Sequence, residues 1–246
     1  MDKSINKYIA ETGFCSRREA DKYIEQGRVT INDNIASKGN RVEEGDVVEI
    51  DGEPLKKKKA PVYIALNKPK GITCTTDLKD KTNIIDYVNY KSRIFPIGRL
   101  DKLSEGLIFL TNDGDIVNKI LRAGNQHEKE YIVTVDKPLT PEFIKTMRNG
   151  VRILGVYTKK CFVQQEGPQR FRIILTQGLN RQIRRMCEAL GYRVETLKRT
   201  RIMNMTLKDL PPGKWRLFTK DEVAAINQLV ASSSKTEKGD DGGMDE

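Results

Sequence analysis

Hydrophobic positions near the start of the chain are spaced for two short helices. Ile5 and Ile9 lie one helical turn apart, which would place them on one face of a helix. Ser16 and Glu19 then have the pattern of a capping box, in which each side chain accepts a hydrogen bond from the other residue's backbone N–H. Gly27 stands where a helix commonly ends in a left-handed residue. The spacing therefore predicts one helix around positions 5–9 and a second between Ser16 and Gly27.

Two stretches that follow alternate between apolar and polar residues, as half-buried strands do. They are residues 28–31 and residues 46–50. Together with the helices, these strands predict a small αα-β unit over residues 1–58. A run of lysines and a proline come next, and we interpret residues 59–61 as a basic linker, because like charges repel and proline disfavours helix in the residue before it.

From residue 62 onward, strand-like and helix-like patterns alternate irregularly. Two continuous apolar runs suit buried strands, and two β-branched runs suit strands as well. These segments are residues 62–66, 107–110, 131–135 and 171–175. Thr140 and Pro141 suit a helix N-cap and first helical position, and Gly150 would end that helix. The fold class predicted for residues 62–230 is α+β, with a mixed, mainly antiparallel sheet flanked by helices.

Composition and charge indicate a protein that binds an anionic partner. The 246 residues include 44 Lys and Arg against 34 Asp and Glu, which gives a formal net charge of +10. Nucleic acid is the commonest partner of such an excess of positive charge, although a soluble protein can also be basic without one. Residues 231–246 are rich in Ser, Gly and Asp, and we expect a disordered tail there.

Other classes of protein are disfavoured by what the sequence lacks. No apolar run approaches the roughly 18 residues of a transmembrane helix, and the first residues lack the charged-then-apolar order of a signal peptide. The single histidine and the four scattered cysteines do not have zinc-ligand spacing, so no metal site is expected. Scattered cysteines without an export signal fit a reducing compartment, so we expect the protein in the cytoplasm and away from membranes.

One loop has the composition of a catalytic segment. Arg99, Asp101 and Lys102 lie between Gly98 and Gly106, with apolar residues on both sides of the loop. An aspartate beside two cations stays ionised and is available as a nucleophile. Taken alone, the same pattern also fits an aspartate that forms a turn or carries surface charge.

A second segment combines an amphipathic helix with a cluster of arginines. Its apolar stripe consists of Ile183, Met186, Cys187 and Leu190. We expect Arg181, Arg184 and Arg185 together on the opposite face. Asn180 would be the N-cap and Gly191 would follow the last turn. Arginines in a first turn oppose the helix dipole, so the arrangement favours an anion opposite them, either a carboxylate or an RNA phosphate. A solvated basic face is the alternative interpretation.

Two further positions have both an ordinary and a functional interpretation. Tyr131 begins a predicted strand directly after a charged run, and its position alone suggests a half-buried strand tyrosine. Lys68 lies in the strand exit at residues 67–71, where it either touches phosphate or belongs to a plain Pro-Gly turn. Neither position identifies a functional site by itself.

Four segments resemble, in order, the motifs of the pseudouridine synthases. They are residues 67–71, residues 98–107, the Glu128-Lys129-x-Tyr131 segment and residues 180–186. The branch that they resemble acts on ribosomal RNA and comprises RsuA, RluB, RluE and RluF, and the similarity is greatest to the RluF type, which acts on the large subunit. Residues 13–20, with 27–29 and 45–47, resemble an S4 domain, which this branch commonly carries.

The resemblance implies an N-terminal S4-type module, a pseudouridine synthase catalytic domain and a mechanism without a cofactor. The target uridine would be flipped out of its stack, and the Asp101 carboxylate would attack either C1′ of the ribose or C6 of the base. Arg184 would pair with Asp101, because a carboxylate in a dry pocket requires a partner. Tyr131 would stack on the flipped base and is a candidate general base.

The residues that would touch RNA follow from the same resemblance and from their charge. The candidates in the catalytic domain are Arg99, Lys102, Arg181, Arg185 and Lys68, and those in the S4 module are Arg17, Arg18 and Arg28. Arg99 would fill the gap left in the RNA stack, and the others would bind phosphates. The implied partner is ribosomal RNA, 23S rather than 16S, with transfer RNA open as a second substrate. We expect the protein to be a monomer.

Two other functions fit parts of the same pattern. A non-catalytic S4-domain protein that binds RNA or assists ribosome assembly explains the charge equally well, but it leaves the motifs around Asp101, Tyr131 and Arg184 unexplained. A metal-dependent nuclease is the weaker alternative, because no carboxylate cluster suited to Mg²⁺ is evident. A variant of Asp101 that kept RNA binding and lost activity would separate an enzyme from a binder.

Overall fold

The computed structural model describes residues 2–56, 60–122 and 125–233, which form two compact units. The first unit comprises the described residues up to Val62 together with Tyr90–Ile94 and Asn112–Gly114, and the second unit comprises the others. The predicted linker at residues 59–61 lies partly outside the described residues, and the predicted tail at residues 231–246 lies mostly outside them.

The described part of the first unit contains two helices and six short strands. They are α1 (Ile5–Thr12), α2 (Arg17–Glu25), β1 (Lys3–Ser4), β2 (Val29–Ile31), β3 (Asn34–Ile35), β4 (Arg41–Val42), β5 (Val48–Ile50) and β6 (Glu53–Pro54). Four strands pair in the order β3-β2-β5-β6, and β1 pairs with β4. The capping box is confirmed, since the Glu19 N–H donates to Ser16 Oγ at 3.2 Å and the Ser16 N–H donates to Glu19 Oε2 at 2.8 Å. Ile5 and Ile9 are buried in the core of this unit, as their helical spacing predicted.

The second unit is built on one sheet, which has nine strands among the described residues. The strands of this sheet are β7 (Tyr63–Lys68), β8 (Phe95–Ile97), β9 (Glu105–Thr111), β10 (Lys129–Val135), β13 (Phe162–Gly167), β14 (Arg170–Leu175), β15 (Val194–Ile202), β16 (Met205–Thr206) and β17 (Trp215–Leu217). A separate hairpin consists of β11 (Arg152–Ile153) and β12 (Val156–Tyr157). The strand order is β13-β14-β10-β15-β9-β7-β17, with β16 on β15 and β8 on β9, while β11 and β12 pair with each other. Every pair is antiparallel except β15 with β9.

Five helices accompany this sheet in the described residues. They are α3 (Ile84–Val88), α4 (Gly114–Leu121), α5 (Pro141–Asn149), α6 (Gln182–Ala189) and α7 (Lys220–Leu229). Helix α5 begins as predicted, since Thr140 Oγ1 accepts from the Phe143 N–H at 3.1 Å and Pro141 is its first residue. The predicted α+β class, with a mixed and mainly antiparallel sheet flanked by helices, is confirmed.

The parallel pairing of β15 with β9 explains why a glycine occupies position 106. Arg199 of β15 is the register partner of Gly106 in β9. Gly106 has φ +108°, and a Cβ atom there would lie 2.2 Å from the carbonyl oxygen of Arg199. Only glycine allows both that backbone angle and that approach. The start of β9, and with it the end of the Asp101 loop, is therefore fixed against β15.

We expect Gly106→Ala to destabilise the protein by about 2–4 kcal/mol, since a left-handed strain of about 1–2 kcal/mol adds to a backbone clash. Gly155→Ala is the matched control, because Gly155 also has a positive φ of +81° but open space around its Cβ position. Thermal unfolding of both variants measures the difference. Equal losses of stability would contradict the close approach of β9 and β15.

Candidate active site

The loop between β8 and β9 presents Asp101. Gly98 leaves β8 with φ +77°, and the buried Leu100 anchors the loop, with its N–H directed at Cys74 Sγ at 3.4 Å. The loop then closes on itself, since the Ser104 N–H donates to the Asp101 carbonyl at 2.9 Å. The Asp101 side chain remains 35% exposed. The carboxylate is thus held by a tight turn and is still accessible.

Lys68 supports the Asp101 loop from inside the protein. Its side chain is fully buried. Nζ donates to the carbonyl oxygens of Pro69 and Ser104, both at 2.8 Å, and lies 3.5 Å from the carbonyl oxygen of Lys102. Burial lowers the pKa of this ammonium group. The expectation that Lys68 contacts RNA phosphate is therefore wrong, because the ammonium group has no exposed surface and its donors are directed at backbone carbonyls.

Arg184 of α6 lies next to the Asp101 carboxylate. Arg184 Nε is 3.3 Å from Asp101 Oδ2, and the arginine side chain is only 9% exposed. Nη2 donates to Ser104 Oγ at 3.1 Å and Nη1 donates to the Val194 carbonyl at 3.3 Å. Three different partners therefore fix the plane of the guanidinium group, which in turn fixes one oxygen of Asp101.

The start of α6 differs from the sequence prediction. The helix begins at Gln182, and the residue before it is Arg181 in a left-handed conformation, φ +48°, with no side-chain cap. Asn180 is therefore not the N-cap. Its side-chain and backbone oxygens instead accept from Arg185 at 3.2 and 3.1 Å.

The three arginines of this segment do not share one face, so that prediction is wrong as well. Arg184 is buried, Arg185 is half-buried and Arg181 is exposed ahead of the helix. The physical reason is the ion pair, since it offsets the cost of burying the Arg184 guanidinium beside the apolar stripe. The stripe itself is buried as predicted, with Leu190 partly covered.

Tyr131 lies in β10 directly opposite Arg199 of β15. The Arg199 guanidinium carbon is 6.0 Å from the centre of the Tyr131 ring, at the limit of a cation–π contact. Arg199 is 3% exposed, and its Nε donates to the Leu107 carbonyl of β9 at 2.6 Å. One buried arginine thus contacts both the strand that follows the Asp101 loop and the ring of Tyr131.

Lys129 is a second buried cation that sequence reasoning did not select. It is 8% exposed, and burial together with the nearby Arg199 charge lowers its pKa to about 8. A signal for it did exist, because Lys129, Tyr131 and Val133 share one face of β10 by the alternation of a strand. A lysine at the start of an inward-facing row is unusual enough to indicate a function.

A cleft of about 600 Å³ brings most of the predicted residues of this unit together. Among its lining residues are Arg99, Asp101, Lys102, Tyr131, Arg181 and Arg184, together with Lys129 and Arg199. Arg99, Lys102 and Arg181 are exposed, whereas the Asp101–Arg184 pair lies deeper. Lys68 and Arg185 do not line the cleft. The geometry therefore combines a carboxylate in a largely buried ion pair, an aromatic ring and a rim of exposed positive charge.

The predicted RNA contacts of the first unit have different surroundings. Arg17 and Arg18 are exposed in the first turn of α2. Arg28 is exposed too, but its guanidinium donates to both carboxylate oxygens of Asp51, at 2.8 and 2.6 Å, and lies 4.4 Å from the centre of the Tyr23 ring. The hydrogen bonds from Arg28 lower the pKa of Asp51. Arg17 and Arg18 are therefore the better candidates for phosphate contacts.

Two other kinds of feature, a metal site and a membrane-spanning helix, are absent from the described ranges. No group of three or more His, Cys, Asp or Glu side chains is arranged to hold a metal ion there. None of the helices described above is both long enough and apolar enough to span a bilayer.

Comparison with known proteins gives the family. The sequence profile of the RNA pseudouridylate synthase family matches residues 62–189, and that of the S4 domain matches residues 4–48. The chain is 59% identical over 236 residues to the dual-specificity RNA pseudouridine synthase RluF of Escherichia coli (strain K12), which covers 95% of this chain and 81% of that protein. It is 34% identical over 235 residues to the ribosomal large subunit pseudouridine synthase B of Bacillus subtilis (strain 168), which covers 92% of this chain and 96% of that one.

The fold agrees with the sequence comparison. The crystal structure of a pseudouridylate synthase matches this chain with a TM-score of 0.68 at 28% identity, covering 91% of this chain and 99% of the other. The chain therefore belongs to the RNA pseudouridine synthase family, carries an S4 domain, and is an RNA pseudouridine synthase of the RluF-like kind.

Proposed function

We propose that this enzyme isomerises a specific uridine of large-subunit (23S) ribosomal RNA, with Asp101 as the nucleophile. The observation that carries the proposal is the pairing of Asp101 with the buried Arg184 beside a cleft of about 600 Å³. That volume lies within the range of about 300–1,000 Å³ typical of ligand sites. The name of the Bacillus subtilis relative refers to the large ribosomal subunit, which supports this choice of RNA.

The target uridine would enter the cleft by leaving its stack, at a cost of about a few kcal/mol that is lowest in a loop or a distorted helix. Tyr131 lines the cleft and would stack on the base. Arg99 is exposed at the rim and would occupy the gap left in the RNA. The Asp101 carboxylate would then bond to C1′ of the ribose or to C6 of the base.

Arg184 would hold the Asp101 carboxylate in position through this step. Its bonds to Ser104 and Val194 hold the guanidinium without help from substrate, so the pair is organised before RNA arrives. A carboxylate oxygen that is held in one position is suited to nucleophilic attack.

Two surfaces would hold the RNA around the flipped base. We assign RNA binding to the S4 domain at residues 1–58 and catalysis to residues 62–230. Lys102 and Arg181 are exposed at the cleft and would bind flanking phosphates. Arg185 would add positive charge at the same end of α6, although its guanidinium bonds to Asn180. We also propose that the enzyme works as a monomer in the cytoplasm, and sedimentation of the enzyme with and without RNA would test its oligomeric state.

The double variant Arg17→Gln, Arg18→Gln is expected to weaken RNA binding and to reduce its dependence on salt. For single-stranded RNA, removing one arginine that binds a phosphate should change the log–log salt slope by about 0.7. Filter binding across a range of salt concentrations measures this slope. Arg41→Gln is the matched control, because Arg41 is an exposed arginine of the same unit that already pairs with Asp2. An unchanged slope in the double variant would contradict an S4 phosphate site at α2.

Analysis of the nucleosides tests the proposed function. Unmodified transcripts of 23S ribosomal RNA, 16S ribosomal RNA and transfer RNA are incubated with the enzyme in the presence of a chelator, digested and chromatographed. We expect about one pseudouridine per 23S molecule in the digest and unbroken RNA before digestion. No pseudouridine in any free RNA or in assembled large subunits would overturn the proposal, and pseudouridine in 16S RNA alone would overturn the choice of RNA.

A further inference from the structure

Two buried cations of the cleft, Lys129 and Arg199, have no carboxylate partner in the part of the chain that the structure describes. Among the described residues, no Asp or Glu oxygen lies within ion-pair distance of Lys129 or Arg199, whereas Arg184 has Asp101. Arg199 Nη2 is buried without a hydrogen-bond partner. Lys129 Nζ has one long contact, 3.4 Å, to the His127 carbonyl. Both side chains line the cleft.

Burying two unpaired cations side by side is unfavourable in a folded protein. The groups that face Lys129 do not neutralise its buried charge. Arg199 is itself a cation, and the neighbouring His127 contributes only a carbonyl and an imidazole. Such an arrangement becomes favourable once a negatively charged group or a strong hydrogen-bond acceptor enters the cleft. The missing partner is therefore expected to come with the substrate.

The chemistry of the proposed reaction supplies such a partner. If Asp101 bonds to C1′, the C1′–N1 bond breaks and its electron pair stays on the uracil, where it spreads onto O2 and O4. C5 then bonds to C1′ and releases the carboxylate, while C5 loses its proton and N1 gains one. If Asp101 bonds to C6 instead, the electrons of the C5–C6 double bond move to O4. The C1′–N1 bond then breaks as C5 bonds to C1′, and N1 gains a proton. Loss of the C5 proton re-forms the C5–C6 double bond and releases the carboxylate. Both routes place negative charge on O4 of the base, and the first route also places it on O2.

We propose that Lys129 and Arg199 donate hydrogen bonds to the uracil carbonyl oxygens and stabilise the negative charge that develops on the base. This inference rests on the proposed function and assigns a role to two residues outside the Asp101, Tyr131 and Arg184 set. Donors fixed in advance where charge develops are among the strongest contributors to enzyme catalysis. Both donors lie close to the aromatic ring proposed to hold the base, since Tyr131 follows Lys129 by two residues in β10 and pairs with Arg199 across to β15.

The test compares Lys129→Met, Lys129→Arg and a control, Lys198→Met, in single-turnover reactions on the same RNA. Lys198 neighbours Arg199 on β15 but does not line the cleft. Loss of one such donor should slow the chemical step by about 10²–10³-fold with RNA affinity nearly unchanged. Lys129→Arg should restore most of the rate, and Lys198→Met should leave it unchanged. Lys129→Met is expected to fold, because it removes a buried charge.

A second substrate distinguishes charge stabilisation from a structural role. The fluorine of 5-fluorouridine draws electrons and stabilises the uracil anion by itself, so less help from Lys129 is needed. The loss of rate in Lys129→Met should therefore be roughly tenfold smaller for 5-fluorouridine RNA, measured as consumption of the N-glycoside. An equal loss on both substrates would indicate a structural role and overturn the inference.

The dependence of kcat/KM on pH gives an independent readout. The ammonium form of Lys129 is the active one, so kcat/KM of the wild type should fall as the pH rises through about 8. Lys129→Arg keeps its charge and should not show this fall. If Lys129→Met instead lost only affinity, with a smaller salt slope, Lys129 would be a phosphate contact and the inference would be wrong. A wild type without activity would reject the proposed function itself.

Discussion

Replacing Asp101 with asparagine is expected to abolish pseudouridine formation, with a loss of at least about 10⁴-fold in kcat, because the covalent step loses its nucleophile. Asparagine has nearly the same shape, so the turn closed by the Ser104 N–H should persist. RNA binding should be unchanged or slightly tighter, since a negative charge near phosphate is removed. Single-turnover kinetics and filter binding on the same RNA measure the two effects separately.

Asp209→Asn is the matched control for the Asp101 variant. Asp209 is exposed in the second unit and does not line the cleft. Its replacement removes the same charge and should leave both rate and binding as in the wild type. An Asp101→Asn variant that turned over within about tenfold of the wild type would contradict a nucleophilic role, because loss of a nucleophile costs far more.

Replacing Arg184 should lower both the rate and the stability of the enzyme. In Arg184→Met the Asp101 carboxylate loses the buried cation that pairs with it, and the Ser104 hydroxyl and Val194 carbonyl lose their donor. We expect kcat to fall by about 10²–10³-fold, which is the usual effect of removing one fixed electrostatic group from an active site. Stability should fall by about 1–3 kcal/mol, because buried polar groups become unsatisfied. Kinetics and thermal unfolding of one preparation measure both losses.

The lysine variant separates the charge of Arg184 from its geometry. Arg184→Lys keeps the charge but cannot reach three acceptors in one plane, so its activity should lie between that of Arg184→Met and that of the wild type. Glu188→Gln, at an exposed position of the same helix, is the control for changes in α6. If Arg184→Lys were fully active, positive charge alone would suffice and the fixed plane would be irrelevant.

The sequence predicted those parts of the fold that depend on local signals. The capping box of Ser16 and Glu19, the α5 start at Thr140 and Pro141, and the buried runs of β7 and β9 all follow from short-range patterns. The class of protein also followed from the sequence, since the ordered motifs resemble one enzyme family. The non-catalytic alternative did not account for those motifs, and the family match excludes it.

The sequence predictions that are wrong concern residues whose surroundings are formed by segments far away in the sequence. Lys68 is a candidate for phosphate binding from its charge and the resemblance, with a plain Pro-Gly turn as the alternative, but the structure buries it. Its burial depends on carbonyls of the Asp101 loop that lie more than thirty residues away. Helix α6 was predicted to carry three arginines on one face, but the left-handed Arg181 moves the start of the helix and the ion pair with Asp101 draws Arg184 inward.

The sequence did not indicate Lys129 and Arg199 as residues of the candidate site, for a related reason. Each lies on a strand whose alternation can be read from the sequence, but their proximity depends on the pairing of β10 with β15 and of β15 with β9. Strand pairing over such distances is not encoded in local spacing. The Asp101–Arg184 pair was anticipated only through the resemblance to a family, and spacing alone would not have joined them.

Release of tritium tests the central claim most directly, because isomerisation to pseudouridine removes the hydrogen at C5. Ribosomal RNA carrying C5-tritiated uridine is incubated with the wild type and with Asp101→Asn, at enzyme concentrations that saturate RNA binding and without added cofactor. We predict tritium in water from the wild type on large-subunit RNA and none above background from the variant. Equal release by both proteins, or none from a wild type that binds free and assembled large-subunit RNA tightly, would contradict the account.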